Sequence, residues 1–361
     1  MSSTVKKFQP LGAATLIGSL PHQNRDKAIN LVFEEIGEIP VWPQLSPYPS
    51  EQMLLQYNEG LPGLVRQNNG ALFITSDPSF EDELLRFYEE YLAVTNGELD
   101  LTQSRFQFGV DSGKTFFSFL DRLDRQQPPP TAVKGQTTGP FTLLAGLKDE
   151  NDRLALYDPR LRDAVVKTLA LKAQWQVEQL SRFSLPTILF IDEPALAGFG
   201  SSAFISISAE EVTTMLEEVT SHIHKAGGLA GIHVCANTDW SLFFGGSLDV
   251  INFDAYTYFD RFALYRQDLV SFFDRGGIIA WGIIPTMDAK DIEQESADSL
   301  VSRWRQQIDE LTGKDLPLET IFAQSLITPS CGCGTLNESL AERVIHLTRA
   351  VSEQLRREIG N

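Results

Sequence analysis

The sequence predicts an α/β protein, a closed (β/α)8 or TIM barrel with an insertion between its second and third strands. Eight short apolar runs rich in β-branched residues alternate along the chain with longer segments of helical period. Most of these runs are continuously apolar, which is typical of parallel strands covered on both faces. A doubly wound open sheet is the alternative, because the count of strands decides between the two architectures.

The eight predicted strands follow one another at intervals that leave room for a helix after each. In chain order they are Ala13–Gly18, Ile39–Trp42, Ala132–Gly135, Thr187–Ile191, Leu229–Val234, Val250–Phe253, Ile278–Gly282 and Ile321–Leu326. Three intervening helices carry capping signals. These signals are Asp158-Pro159 for a helix to about Phe183, Ser208 with Glu211 for a helix ending at Gly227-Gly228, and Thr335 with Glu338 for the final helix.

One long stretch, 43–131, departs from this alternation. It contains a predicted helix at Phe80–Val94 and an alternating segment, Leu99–Val110, that is compatible with a hairpin. We interpret the stretch as an insertion on the barrel. The whole chain, 1–361, is then a single domain.

Composition and charge exclude several classes of function. The chain has 361 residues, and 30 basic against 48 acidic side chains give a formal charge of −18. Such a surface repels phosphate backbones and anionic lipids, so we expect neither nucleic acid nor a membrane as a partner. Three cysteines cannot form a disulfide framework, which indicates a reducing compartment and predicts a cytoplasmic protein.

All three cysteines fall at two predicted strand ends. His233 and Cys235 close one strand and point to the same face because strand side chains alternate. Cys331 follows the last strand, and Asp254 ends the strand after the His-x-Cys strand. Imidazole, thiolate and carboxylate groups are zinc ligands, so these four residues predict a zinc site, with Cys333 as a substitute ligand. The alternative is a satisfied core histidine beside small buried thiols.

Two further groups of residues belong to the same predicted rim. Asp192 and Glu193 end the fourth strand, where at most one carboxylate faces the barrel mouth. Asp192 is suited to pair with a substrate ammonium, and the alternative is a capping carboxylate before a helix. Ile17, Gly18 and Ser19 end the first strand, where Gly18 permits close backbone approach and Ser19 can donate to a carboxylate. An ordinary turn is the alternative there.

Together these segments resemble the C-terminal catalytic barrel of cobalamin-independent methionine synthase, in the uroporphyrinogen-decarboxylase-like superfamily of methyltransferases. The resemblance spans nearly the whole chain in the family's order. Its segments are Ile17-Gly18-Ser19, Thr138-Gly139-Pro140-Phe141-Thr142, Ile191-Asp192-Glu193-Pro194-Ala195-Leu196, His233-Val234-Cys235, Asp249-Val250-Ile251-Asn252-Phe253-Asp254 and Pro329-Ser330-Cys331-Gly332.

The resemblance implies a role for each matching residue. It implies zinc on His233, Cys235 and Cys331, and it places Asp254 where the family has a glutamate ligand. It also implies that Ser19 and its neighbouring backbone hold the homocysteine carboxylate and that Asp192 holds the amino group. The expected substrate contacts are Ile17, Gly18, Ser19, Asp192 and Glu193, with Asp192 also catalytic.

The methyl donor is less well defined by the resemblance. The family's folate loop and its Asp-x-His motif have no match in 115–131 and 282–288. We therefore expect a zinc-dependent methyltransferase that acts on homocysteine or a similar small thiol. The expected donor is a methylated corrinoid protein rather than methylfolate. A corrinoid-linked methyltransferase for another small thiol, or a non-enzymatic zinc or metabolite-binding barrel, is the alternative.

Overall fold

A computed structural model describes residues 8–67 and 70–359. Its centre is a curled, parallel seven-stranded sheet with the strand order β1-β12-β11-β10-β9-β8-β6. The strands of the described chain are β1 (Ala13–Ala14), β2 (Ser19–Leu20), β3 (Gln44–Leu45), β4 (Leu64–Gln67), β5 (Gly70–Phe73), β6 (Val133–Thr138), β7 (Lys148–Asp149), β8 (Thr187–Asp192), β9 (Leu229–Val234), β10 (Val250–Phe253), β11 (Ile278–Ile284) and β12 (Ser325–Pro329).

Helices follow most strands and cover the outside of the sheet. They are α1 (Arg25–Glu35), α2 (Met53–Gln56), α3 (Phe80–Thr95), α4 (Lys114–Asp124), α5 (Pro140–Gly146), α6 (Pro159–Ser181), α7 (Ala209–Lys225), α8 (Ser241–Phe244), α9 (Ala255–Phe262), α10 (Arg266–Asp274), α11 (Ala289–Gln294), α12 (Ala297–Leu311), α13 (Leu318–Ala323) and α14 (Glu338–Ile359). Within the described ranges, none of these helices has the length and apolarity needed to cross a bilayer.

The α/β class and the parallel sheet are confirmed, but the sheet is not a closed eight-stranded barrel. The predicted second strand, Ile39–Trp42, forms only an isolated parallel bridge between Val41 and Lys134. Pro40 lies within this run and Pro43 directly follows it, and neither has an N–H to donate, which prevents a longer ladder. The sheet therefore stays open between its end strands, β1 and β6. Two short strands, β2 and β3, pair with each other in a separate sheet. The assignment of 43–131 as an insertion stays a prediction.

Two other predictions differ from the structure, namely the bounds of the last predicted strand and the hairpin at Leu99–Val110. Within Ile321–Leu326, the first residues belong to helix α13, and the strand begins only at Ser325. The stretch Leu99–Val110 contains a 3-10 turn instead of a hairpin, because Asp100 accepts a hydrogen bond from the Thr102 N–H at 2.8 Å and starts a turn. The antiparallel hairpin of this region is β4 with β5.

Most of the helix predictions are confirmed. Asp158 caps α6, and Ser208 with Glu211 forms the capping box of α7. The helix α3 covers the predicted Phe80–Val94. The final helix is present, but its first turn is capped by Asn337, whose side chain accepts from the Leu340 N–H at 2.9 Å. Thr335 therefore does not have the capping role that its spacing to Glu338 predicts.

The sheet separates two apolar cores. A large core lies between the strands and the outer helices, and a small core fills the concave side. The small core contains Ala13, Ile17, Ile39, Ala132, Ile188, Phe190, Val250, Ile278, Ala280 and Leu326. Towards the carboxyl ends of the strands its apolar side chains give way to buried polar ones such as Asp192, His233 and Asn252. This polar end is where a site is expected in barrel-like α/β proteins.

Candidate active site

A histidine and two cysteines come together at the carboxyl end of the sheet. His233 lies near the end of β9, Cys235 follows that strand, and Cys331 lies in the loop after β12. One ligand atom from each side chain lies within 4.8 Å of the other two. The three residues predicted as zinc ligands therefore form one group, which we call the thiol centre.

The tautomer of His233 is fixed by a buried amide. Its Nδ1 contacts Oδ1 of Asn252, while Nδ2 of Asn252 donates to the Ala280 carbonyl at 2.9 Å and to Oγ1 of Thr328 at 2.7 Å. Because Nδ2 is committed to two acceptors, Oδ1 must accept, and Nδ1 of His233 carries the proton. The lone pair of Nε2 is left for a ligand, an arrangement common around metal-binding histidines.

The pKa values of the two thiols in the centre are shifted in opposite directions. A hydrogen bond with Cys331 and the neighbouring His233 lower the pKa of Cys235 against the effect of burial. The pKa of Cys331 is raised, chiefly by that same hydrogen bond with Cys235 and by burial. The pair thus holds one negative charge readily, and the thiolate is the form of cysteine that binds metals.

The two residues predicted to complete the zinc site lie outside the thiol centre. Asp254 caps α9, where its Oδ1 accepts from the Thr257 N–H at 2.8 Å. Cys333 is 3% exposed and belongs to the outer apolar core, and burial raises the pKa of its thiol to about 12. Its backbone N–H donates to the Ser19 carbonyl at 2.9 Å. Whether either residue binds zinc stays a prediction.

A cavity of about 400 Å³ opens beside the thiol centre. Its walls come from the ends of several strands and from the segment between β3 and α2. The lining residues are Ile17, Ser19, Gln44, Ser46, Glu51, Gln52, Met53, Asp192, Pro194, His233, Cys235, Thr286, Met287, Cys331, Gly332, Gly334 and Thr335. The volume suits a small molecule.

Asp192 is a buried carboxylate on the wall of this cavity. Strand register places it between Thr138 on β6 and His233 on β9. The residue is 4% exposed, and its Oδ1 has no hydrogen-bond partner. Burial raises the pKa of Asp192 to about 6, although His233 and Lys134 act in the opposite direction. A cationic partner from a ligand would satisfy the unpaired oxygen.

Glu193 points away from the cavity and holds the first turn of α5. Its Oε1 accepts from the Phe141 N–H at 2.9 Å, and its Oε2 accepts from the N–H and the hydroxyl of Thr142 at 2.7 and 2.6 Å. Gly139 leaves the space for this carboxylate, since a Cβ there would lie 2.1 Å from Cδ of Glu193. Glu193 was predicted to contact the substrate, but it is not among the residues that line the cavity.

The end of the first predicted strand is closely packed. Gly18 has a φ of +146°, and a Cβ at this position would lie 2.6 Å from Cδ of Gln136, so any other residue would strain the backbone and displace the Gln136 side chain. Ser19 lines the cavity, and its Oγ accepts from the Gly334 N–H at 3.3 Å. Ile17 also lines the cavity. The structure thus brings Ile17, Ser19 and Asp192 to the same cavity.

Two charged residues near the cavity were missed by the sequence analysis. Lys134 is fully buried, and its ammonium donates to the Ile17 carbonyl at 2.6 Å and lies 4.1 Å from the centre of the Phe190 ring. Burial lowers the pKa of Lys134 to about 7, against the opposing effect of Asp192. Alternation along β6 is the signal that could have identified it, because Lys134 follows an inward-facing alanine by two positions.

Glu51 is the second residue that was missed, and no sequence signal points to it. It is fully buried, and its carboxylate accepts from the Thr115 hydroxyl at 2.7 Å, from Arg25 at 3.2 Å and from the Leu45 N–H at 3.1 Å. These partners come from three separate parts of the chain. Their convergence is a property of the fold rather than of a local pattern.

Comparisons with known proteins support the fold. No protein-family model matches the chain, and no curated protein matches it. The chain is similar to the crystal structure of a candidate vitamin-B12-independent methionine synthase from Listeria monocytogenes, with a TM-score of 0.52 and 13% identity over 93% of this chain and 86% of that one. A pneumococcal exo-β-D-N-acetylglucosaminidase structure aligns at a TM-score of 0.47 with 8% identity, over 95% of this chain and 85% of that one. The Listeria structure shows that this chain has a fold related to that of a methionine synthase candidate.

Proposed function

We propose that the chain is a zinc-dependent methyltransferase that methylates the thiol of homocysteine. The observation that carries the proposal is the thiol centre at the wall of a small-molecule cavity that also contains the unpaired carboxylate of Asp192. The fold similarity to a methionine synthase candidate agrees with this assignment.

The residues of the thiol centre fit zinc. One imidazole nitrogen and two sulfur atoms are a donor set that zinc favours, and three protein ligands leave a position for a substrate. His233 is already held in the tautomer that offers Nε2. Zinc bound there would keep a substrate thiol deprotonated at neutral pH, whereas a free thiol with a pKa of about 8.5 is mostly protonated.

The protein's own side chains would bind the amino-acid end of homocysteine. Asp192 would accept a hydrogen bond from the substrate ammonium at its unpaired Oδ1, which would also offset the cost of burying this carboxylate. The Ser19 hydroxyl, which lines the same cavity, would donate to the substrate carboxylate. Together they would hold the sulfur in one orientation towards the thiol centre.

We further propose a methylated corrinoid protein as the methyl donor. Methylfolate has an amine leaving group that must be protonated, so its use requires a positioned acid. Among the described residues that line the cavity, the acidic ones are Glu51 and Asp192. Glu51 is occupied by Arg25 and Thr115, and Asp192 is assigned to the ammonium. A methylcorrinoid needs no such acid.

The experiment that tests the function combines metal analysis with methyl transfer. Purified protein should contain one sulfur-ligated zinc ion per chain, detected by X-ray absorption, and should methylate homocysteine with a methylated corrinoid protein as donor, and faster than with methylfolate. Cys235→Ser should lose both this sulfur-ligated zinc and activity, because a hydroxyl is a poor zinc ligand. Cys333→Ala changes the cysteine outside the thiol centre and should retain both, whereas loss of zinc in this variant would identify Cys333 as a ligand.

The substrate assignment is tested separately through Asp192. Asp192→Asn should weaken homocysteine binding about ten- to a hundredfold, the equivalent of a charge-assisted hydrogen bond of roughly 1.5–3 kcal/mol, and should retain zinc. Asp288→Asn, a change in a helix cap outside the cavity lining, is its control. Normal homocysteine binding by Asp192→Asn would exclude this substrate orientation, and zinc without methyl transfer from any donor would favour a non-enzymatic barrel.

A further inference from the structure

A second cluster of metal-ligating side chains lies apart from the thiol centre. It consists of His22, which follows β2, and of Glu338 and Glu342 on the first two turns of α14. One ligand atom from each of the three side chains lies within 4.8 Å of the other two. We call these three residues the His22 cluster. It joins segments that are more than 300 residues apart in the chain, since the Gln23 N–H donates to Glu338 at a separation of 315 residues.

The imidazole of His22 is buried without a hydrogen bond. Its side chain is 0% exposed, and neither Nδ1 nor Nε2 has a hydrogen-bond partner. The Nε2 atom lies 3.6 Å from Oε1 of Glu342, beyond hydrogen-bond distance. Buried polar groups are nearly always paired in native proteins, so an unpaired ring beside two carboxylates calls for a partner.

The charge of the cluster is only half compensated. The ammonium of Lys27 contacts Glu338 at 2.9 Å and Glu342 at 2.8 Å. One ammonium against two carboxylates leaves one negative charge, and Lys27 makes no hydrogen bond to His22. The Lys27 side chain is 51% exposed, and a lysine side chain has several rotatable bonds, so its ammonium can turn into solvent when a cation replaces it.

We propose that His22, Glu338 and Glu342 bind a divalent transition-metal cation, with Lys27 as the group that the cation displaces. A dication would neutralise both carboxylates and would supply the missing partner of His22. An imidazole with two carboxylates suits cations such as Zn²⁺ or Co²⁺ better than Mg²⁺ or Ca²⁺, which prefer oxygen ligands alone. The bound cation would tie the segment after β2 to α14, and so to the loop that carries Cys331.

The test separates this site from the thiol centre. In the double variant Cys235→Ser/Cys331→Ser, the thiol centre has lost both sulfur ligands. Titration of this variant with Co²⁺ should show one bound equivalent, with weak visible ligand-field bands and without the intense near-ultraviolet band of cobalt–thiolate bonds. The result does not depend on whether the proposed methyltransferase activity is correct.

Three additional changes in that double variant locate the cation. Glu342→Gln should raise the Kd for Co²⁺ at least about tenfold, because it removes one charged ligand from a partly exposed position. Glu353→Gln, on the same helix but outside the cluster, should leave the Kd unchanged. Lys27→Gln should lower the Kd, because it removes the competing ammonium. Failure of the double variant to bind Co²⁺, or a Kd that does not respond to Glu342→Gln, would overturn the proposal.

Discussion

At the scale of single residues, Asn252 determines which nitrogen of His233 is free to bind a metal. Its Oδ1 can only accept because its Nδ2 is held by Ala280 and Thr328. The residue lies on β10 directly beside His233, as the pairing of the two strands shows. A side chain that touches no substrate can thus control the thiol centre through one hydrogen bond.

Asn252→Ala should lower the affinity for zinc about ten- to a hundredfold, because His233 loses the acceptor that fixes its tautomer and ring orientation. Competition with a chromophoric chelator measures this affinity. Asn252→Asp retains an acceptor towards Nδ1 and should recover most of it. Equal zinc affinities for the wild type and Asn252→Ala would show that Asn252 has no part in metal binding.

The residues of the site divide into those that alternation predicts and those that it does not. His233 and Cys235 are two positions apart at a strand end, so their common face follows from the sequence. The role of Asn252 depends on the register between β9 and β10, and Glu51 meets partners from distant segments. Asp192 was predicted as a contact for an ammonium; the structure shows its oxygen buried and unpaired, and the contact itself stays a prediction.

At the scale of elements, the carboxylate of Glu193 serves as the N-terminal cap of α5. Burial raises the pKa of Glu193 to about 7, although its hydrogen bonds with Thr142 and Phe141 lower it. A carboxyl whose pKa is raised on folding binds its proton more tightly in the folded state. Its contribution to stability is therefore present below the unfolded pKa of about 4.5 and is lost as the pH rises towards about 7.

Glu193→Gln removes this titration and keeps the shape of the side chain. The stability advantage of the wild type over this variant should shrink as the pH rises from about 5 to about 7, by at most about 1.4 kcal/mol per pH unit. Urea unfolding of both proteins across this range measures the difference. An advantage that grows with pH would mean that the three donors keep the carboxylate ionised.

Elements were predictable where the local pattern and the fold agree. The continuous apolar strands and the caps at Asp158 and Ser208 are examples. Ile39–Trp42 has the same apolar character, but Pro40 within it and Pro43 after it limit it to a single bridge. In 321–326 the apolar side chains of Ile321 and Phe322 pack into the core from a helix. A short apolar run in a sequence does not distinguish such a buried helix from a buried strand.

At the scale of the whole molecule, the thiol centre joins β9 to the loop after β12. A ligand that binds only the folded state raises the free energy of unfolding, by about 2.7 kcal/mol when its concentration is a hundredfold above Kd. Removal of the proposed zinc should therefore lower the Tm of the entire chain. Thermal unfolding with and without chelator measures the shift. The measurement is made in the Glu342→Gln variant, so that a cation in the His22 cluster does not contribute to the shift. When Cys235→Ser is added to this variant, the chelator should no longer change the Tm.

The contact between the first and last parts of the described chain has a consequence for biosynthesis. Gly332 lies so close to Ser19 that a Cβ would come within 2.0 Å of the serine Oγ, and the Gly334 N–H donates to that same oxygen across 315 residues. The Ser19 part of the cavity wall and the sulfur atom of Cys331 are thus synthesised far apart in time. A nascent chain that stops before β12 has neither Cys331 nor the loop that packs against Ser19, so the thiol centre can assemble only after residues 331–334 have been synthesised.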